Sequence, residues 1–241
     1  MGLKRLLKLK TKFLKSQIVK TTVSMFDAVL FDCDGVLVDS EPITLRVMTA
    51  SLNAVGLNLT LDQVFAQYIG KSLPEELPSI EATLGKPLPA DFIARFRDDR
   101  NVALAQEITA IPGVIDLVSR LHLLDLPFAV ASGADCAKME ITLGKTGLLP
   151  FFKDRIVGSD MVAHTKPAPD VYLKAAQILN VDPRRCLVIE DTPTGTKAGI
   201  AAGATVFGFT RFTQAQLLLD AGVSRVFSQM EDLAPMMGIK P

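Results

Sequence analysis

Short apolar runs and longer amphipathic runs alternate along most of this chain. Apolar, β-rich runs stand at 26–31 (FDAVLF), 128–132 (FAVAS), 155–159 (RIVGS), 186–190 (CLVIE) and 205–209 (TVFGF). Between them, apolar residues at helical spacing mark 113–125, 138–148, 169–180 and 194–203. A short run that is apolar at nearly every position has no face for water, so it belongs inside a parallel sheet covered on both sides by helices. The pattern predicts an α/β fold: a doubly wound, Rossmann-like parallel sheet. Such sheets bind ligands beyond the carboxyl ends of their strands.

Residues 43–110 interrupt the alternation. They carry helical patterns, for example at 43–56 (ITLRVMTASLNAVG) and 89–108 (PADFIARFRDDRNVALAQEI), broken by Gly70, Pro74, Pro78, Gly85, Pro87 and Pro89, with no strand pattern. The expected organisation is an α/β core from 25–42 and 111–241, with a helical cap of 43–110 inserted after the first strand. Hinges are expected near Ser40–Ile43 and Thr109–Gly113.

Composition adds bounds. The chain has 241 residues, 49% apolar and 22% charged, with a formal net charge of zero, which gives no reason to expect a nucleic-acid partner. Seven of the basic residues lie in 1–24, leaving the other 217 residues with 19 basic and 26 acidic groups, a net of −7. The segment 1–24 is loosely amphipathic. It reads either as a membrane-surface or partner helix, or as an extension ahead of a working start at Met25. No run reaches the ~18–20 apolar residues of a membrane span, and the N-terminus lacks the pattern of a signal peptide. Cys33, Cys136 and Cys186 are sparse and odd in number, which favours a reducing compartment. The expected location is the cytoplasm. The oligomeric state is not legible.

The chemistry-bearing residues cluster at the predicted strand ends. Asp32 and Asp34 follow the first strand, spaced by one, with Gly35 next. Two carboxylates there cost stability unless something compensates them. A Mg2+ ion would do so, since it favours carboxylate oxygens. An aspartate beside it can attack phosphorus, and a second carboxyl can protonate the leaving oxygen and then activate water. The competing reading is a pair of turn aspartates. Ser132 and Gly133 end the second strand, just before a helix, where a hydroxyl and backbone N–H groups can cradle a phosphate; alternatively Ser132 is a plain N-cap. Lys166, held before Pro167, can neutralise charge during transfer, or lies on an exposed loop. Glu190 and Asp191 end a further strand and offer a second arm for a metal site; alternatively Asp191 caps a helix.

In this order, "FDCDGVLVDSEP", "ASG", "KPAPDVY" and "VIEDTPTGTKAGIAAGA" resemble the four signature motifs of the haloacid dehalogenase-like hydrolases, over residues 26–212. The nearest subgroup resembles the β-phosphoglucomutases and sugar-phosphate phosphatases, which have a C1 helical cap. The resemblance implies Asp32 as the nucleophile that becomes phosphorylated, and Asp34 as general acid/base with its backbone carbonyl on Mg2+. It implies Ser132 as a phosphoryl ligand beside Gly133, Lys166 as the motif-three lysine, and Asp191 as a metal ligand, with Glu190 a further ligand or a supporting group. The expected activity is Mg2+-dependent hydrolysis of a small phosphorylated metabolite, a sugar or sugar-acid phosphate. The alternative is a phosphosugar mutase. Mutase members carry a histidine where Thr44 stands and an arginine in the cap at the position aligned with Leu73, so this chain departs from them. Lys71 is either a substrate contact or a surface lysine.

Other classes fail on particular residues. "GKS" at 70–72 lacks the P-loop glycine, since position 65 is phenylalanine. His122 and His164 have neither triad nor zinc spacing. Cys33 lies between the two aspartates, where alternation points it away from them. It reads as a buried packing residue.

Overall fold

A computed structural model describes residues 24–69 and 73–239. The expectations for residues 1–23 and for Lys71 lie outside the described residues. Six parallel strands form one sheet: β1 (Ala28–Phe31), β2 (Phe128–Ala131), β3 (Ile156–Val157), β4 (Cys186–Glu190), β5 (Thr205–Phe209) and β6 (Arg225–Phe227). Their order is β3-β2-β1-β4-β5-β6. The chain winds outward from β1 to one edge, then returns to β4 and winds to the other. The β1–β4 junction is therefore the switch point, where a crevice opens at the carboxyl ends.

Alternation along the central strands feeds two cores. Val29, Phe31, Leu187 and Ile189 face one side, packed with Val114, Leu117, Val118 and Leu121 of α5 (Val114–Leu123) and with Met139 and Leu143 of α6 (Cys136–Lys145). Ala28, Leu30, Cys186 and Val188 face the other, against Tyr172, Ala175 and Ala176 of α8 (Asp170–Leu179) and Ala198 of α9 (Pro193–Ala201). Each large side chain so buried contributes about 1.5–3 kcal/mol. Short helices α7 (Leu149–Phe152), α10 (Ala215–Ala221) and α11 (Leu233–Met236) complete the layers. No helix among the described residues is long and apolar enough to cross a membrane.

Between β1 and α5 the described residues form four helices: α1 (Glu41–Val55), α2 (Leu61–Tyr68), α3 (Leu73–Leu84) and α4 (Phe92–Glu107). They share a third core of Leu45, Met48, Leu52, Val64, Tyr68, Ile80, Phe92 and Phe96. The two connections to the sheet run side by side: Asp39 N–H donates to Thr109 O (2.9 Å), and Ile111 N–H to Leu37 O (3.0 Å). Ile43 of α1 and Leu104 of α4 sit in the sheet's core instead. Those helix ends anchor the helical unit above the crevice.

Candidate active site

The crevice is built from strand ends. Asp32 follows β1 directly, and its N–H donates to Ile189 O of β4 (3.0 Å), which pins the two strand ends together. Lys166 reaches in from the loop before α8, through a cis Lys166–Pro167 bond. Its ammonium donates to Asp32 Oδ1 at 2.5 Å and to Glu190 Oε1 at 2.6 Å. The same ammonium lies 4.8 Å from the centre of the Tyr172 ring, and the Tyr172 hydroxyl donates to Glu190 Oε1 at 2.7 Å. The other oxygen of Glu190 accepts from the N–H groups of Asp191 and Thr192 and from the Thr192 hydroxyl. Both oxygens of Glu190 are thus committed to the protein.

Asp191 differs. Its Oδ1 is buried with no hydrogen-bond partner. Asp32, Glu190 and Asp191 bring one carboxylate oxygen each within 4.8 Å of one another. Burial raises the pKa of Asp191 well above the carboxylate range, and the charges of Glu190, Asp32 and Glu41 add to the rise. Burial likewise pushes Asp32 up to about 7, opposed by Lys166 and assisted by Glu190 and Asp34. The charge of Asp32 in turn leads the groups that hold the Lys166 ammonium protonated against its burial. A hard divalent cation fits this set: an orphaned buried oxygen, all-oxygen donors and uncompensated negative charge.

Gly35 makes the approach possible. Its φ is +75°, and a Cβ there would lie 2.1 Å from Asp191 Oδ2. Gly195 does the same for Glu190, with 1.7 Å to Oε1. Both positions are closed to side chains.

Asp34 stands apart from the three acids. Its Oδ1 accepts from the Ser40 hydroxyl (2.6 Å) and its Oδ2 from the Lys138 ammonium (2.7 Å). Burial alone would raise its pKa; the Lys138 charge and these two hydrogen bonds reverse that and leave it lowered. Ser132 directly follows β2, and its hydroxyl accepts from Ala134 N–H (3.1 Å). It does not cap the next helix. Asp135 does, accepting from Lys138 N–H (2.8 Å). Nor does Asp191 cap α9; Thr192 does, accepting from Gly195 N–H (3.0 Å). Asp32, Asp34, Ser132, Gly133, Lys166 and Glu190 line one cavity of about 370 Å³.

The sequence reading therefore places its seven site residues around one crevice, with Asp34 held by a different partner set from the other acids. It misses Lys138, Tyr172 and Ser40. Lys138 carries a signal: it falls four residues before Thr142 on the buried face of a predicted helix, where a lysine needs a partner. Cys33 is buried, its sulfur 3.9 Å from the Thr142 hydroxyl, and its thiol pKa is raised by burial, in keeping with a packing role.

Residues 26–203 match the family profile described as haloacid dehalogenase-like hydrolase. The 6-phosphogluconate phosphatase of Escherichia coli K12 is 33% identical over 191 residues, covering 78% of this chain and 84% of that protein. Hexitol phosphatase A of the same organism is 32% identical over 179 residues, covering 73% and 80%. Among solved structures, a HAD family hydrolase from Deinococcus radiodurans R1, with bound phosphate and sodium, superposes with a TM-score of 0.77 at 33% identity, covering 91% of this chain and all of that one. With its profile match running from β1 through α9, the chain belongs to the haloacid dehalogenase-like hydrolases.

Proposed function

We propose that this protein is a Mg2+-dependent phosphatase acting on a small phosphate monoester of the sugar or sugar-acid class, through an aspartyl-phosphate on Asp32. The observation that carries the reading is the Lys166 ammonium bridging Asp32 and Glu190, at 2.5 and 2.6 Å, beside the partnerless Asp191 Oδ1. A neutralised carboxylate nucleophile next to an open metal arm is what in-line phosphoryl transfer requires. The relatives named as phosphatases of 6-phosphogluconate and of hexitols support the substrate class.

In the first half-reaction a carboxylate oxygen of Asp32 attacks phosphorus and the bond to the leaving oxygen breaks. Asp34 gives that oxygen a proton. In the second, water attacks the phosphorus of the aspartyl-phosphate, Asp34 takes the water's proton, and phosphate departs with Asp32 restored. The lowered pKa of Asp34 favours the second half, in which it must begin ionised, and works against the first, in which it must begin protonated. Ser132, the Gly133 N–H and Lys166 hold the phosphoryl oxygens. Asp32, Asp191 and the Asp34 backbone carbonyl would hold Mg2+, with Glu190 supporting from behind. When bound, the ion supplies charge stabilisation at the transferring group. The cap, 43–110, shields the site from water and selects the substrate. We place the protein in the cytoplasm, a reading supported by its three free cysteines.

The test is phosphate release from a panel of sugar phosphates, sugar-acid phosphates, glycerol phosphate, phosphoglycolate and nucleotides, with Mg2+ or EDTA. Metal-dependent release from one or a few members is expected, and its loss in Asp32→Asn with an unchanged circular dichroism spectrum. Release indifferent to EDTA, or full activity in Asp32→Asn, overturns the reading. Conversion of one sugar phosphate into another without phosphate release moves it to the mutase.

A further inference from the structure

Two lysines divide the acids of the crevice between them. Lys166 bridges Asp32 and Glu190. Lys138 serves Asp34, its ammonium 2.7 Å from Oδ2, and among the described residues it donates to nothing else. The reaction as written gives Lys138 no work, yet its position is a costly one. Its side chain is only 9% exposed, and burying an ammonium is unfavourable unless a partner offsets it. It also sits in the first turn of α6, just after the cap residue Asp135, where the helix dipole opposes a positive charge.

No neighbouring cation shares the task. Lys166 lines the cavity at Asp32, Lys138 lines an adjoining cavity of about 290 Å³, and Asp34 lines both. Arg97 and Arg100 of α4 also line the second cavity. Among the described residues, however, the hydrogen bonds of Arg100 go to its neighbour Asn101, and Arg100 acts on Asp34 only by its charge, at longer range.

The two partners of Asp34 differ in kind. An ammonium only donates, whereas a hydroxyl donates or accepts. An ammonium bonds far better to a bare carboxylate oxygen than to one that bears a proton, so Lys138 holds Oδ2 in the role of acceptor. Oδ1 faces the Ser40 hydroxyl at 2.6 Å, and that bond can reverse when a proton arrives.

We infer that Lys138 is a positioning residue for the acid/base step: it fixes the Asp34 carboxyl so that Oδ1 carries the proton, and it thereby sets the rate at which the aspartyl-phosphate is hydrolysed. This deepens the phosphatase reading and rests on it. In that hydrolysis the water oxygen attacks phosphorus, and the bond from phosphorus to the Asp32 oxygen breaks with its electron pair returning to the carboxylate. The water's proton passes to Asp34 Oδ1. The next leaving alcohol takes that proton away, so one oxygen carries it through the whole cycle. Without Lys138 the carboxyl is free to turn about its Cβ–Cγ bond, and the oxygen presented to the water is no longer fixed.

The test uses p-nitrophenyl phosphate, whose nitrophenolate leaves without a proton, so that only the second half-reaction depends on Asp34. With the full-length protein and Mg2+, Lys138→Met should cut the steady-state rate by about 10- to 100-fold, the scale on which a misplaced catalytic group loses rate, while the first turnover keeps its rate. Nitrophenolate should then appear in a burst equal to the enzyme, and acid quenching with mass spectrometry should show the phosphorylated protein. Lys138→Arg should recover part of the steady-state rate. In an Asp34→Asn background, Lys138→Met should cause no further loss, because the lysine acts through that carboxyl; this double variant strands no buried charge. Lys138→Gln, still a donor, is measured beside the methionine variant, so that the comparison stands even where Lys138→Met does not fold. A wild-type steady-state rate in the Lys138 variants, a burst slowed as much as the steady state, or an equal further loss in the Asp34→Asn background overturns the inference alone. A wild type that releases no nitrophenolate with Mg2+ overturns the phosphatase reading, and the inference with it.

Discussion

Asp32, Glu190 and Asp191 crowd three carboxylates within 4.8 Å, and the Lys166 ammonium touches two of them. Without a metal, the folded protein holds excess negative charge that the unfolded chain leaves in water. A carboxyl whose folded pKa lies above its unfolded value keeps its proton longer in the folded state, so its contribution to stability falls as pH rises between the two. For Asp32, which burial raises, that window runs from 3.8 to about 7. At about 1.4 kcal/mol per pH unit, the metal-free protein loses on the order of 4 kcal/mol across it. That is a large part of a typical total of about 5–15 kcal/mol. In a chain of this size about 2–4 °C of Tm accompanies each kcal/mol, so the loss is on the order of 10 °C.

Asp32→Asn removes this dependence. Asp34 and Asp160, whose pKa values are lowered in the fold, behave oppositely: their stabilisation is present at neutral pH and lost in acid. The quantity to follow is therefore the difference in Tm between variant and wild type in EDTA. Scanning calorimetry suits the purpose, because the chain has no tryptophan. The variant should melt above the wild type at pH 7.5, and the two should converge near pH 4. Mg2+ at a hundred times its Kd should then add about 2.7 kcal/mol to the wild type and much less to the variant. A variant that melts below the wild type at pH 7.5, or a gap that persists in acid, would refute the charge-crowding account.

Asp34→Asn should slow phosphate release by about 10²- to 10⁴-fold, the usual worth of a positioned acid/base; near-normal steady-state turnover would move that role to another residue. Lys166→Met leaves Asp32 and Glu190 facing each other in a buried site, so it should lower stability by about 3–5 kcal/mol and cut turnover steeply. A denaturant melt equal to wild type would contradict this. Gly35→Ala forces a Cβ into the space of Asp191 Oδ2, so the Mg2+ concentration for half-maximal activity should rise by about tenfold or more, a shift equivalent to ~1.4 kcal/mol. An unchanged Mg2+ titration would show that Asp191 can retreat without cost.

Much of the core is legible in the sequence because its strands are buried on both faces. The runs at 186–190 and 205–209 are β4 and β5 to the residue. β6 leaves no such trace: Arg225–Phe227 is three residues long at a sheet edge, with Arg225 exposed and only Phe227 fully buried. The acids of the site are legible because they fall on strand ends, and topology alone brings the ends of β1 and β4 together. The arginines of α4 are not. Nothing in "FIARFRDDR" singles them out, and only the packing of α4 brings Arg97 and Arg100 to the wall of a cavity.

The loops after β2 and β4 explain why the strand-end residues escape their ordinary structural roles. Each loop holds two residues of capping type: Ser132 and Asp135 in one, Asp191 and Thr192 in the other. A helix needs only one side chain to take its first free N–H groups. In both loops the residue nearer the helix takes them, Asp135 from Lys138 N–H and Thr192 from Gly195 N–H. The residue nearer the strand is left at the mouth of the crevice, and for Asp191 that leaves a buried oxygen with nothing to accept from. A serine or aspartate at a strand end is thus ambiguous by itself. Beside a second capping residue closer to the helix, it is free for a ligand, and that distinction can be read from sequence.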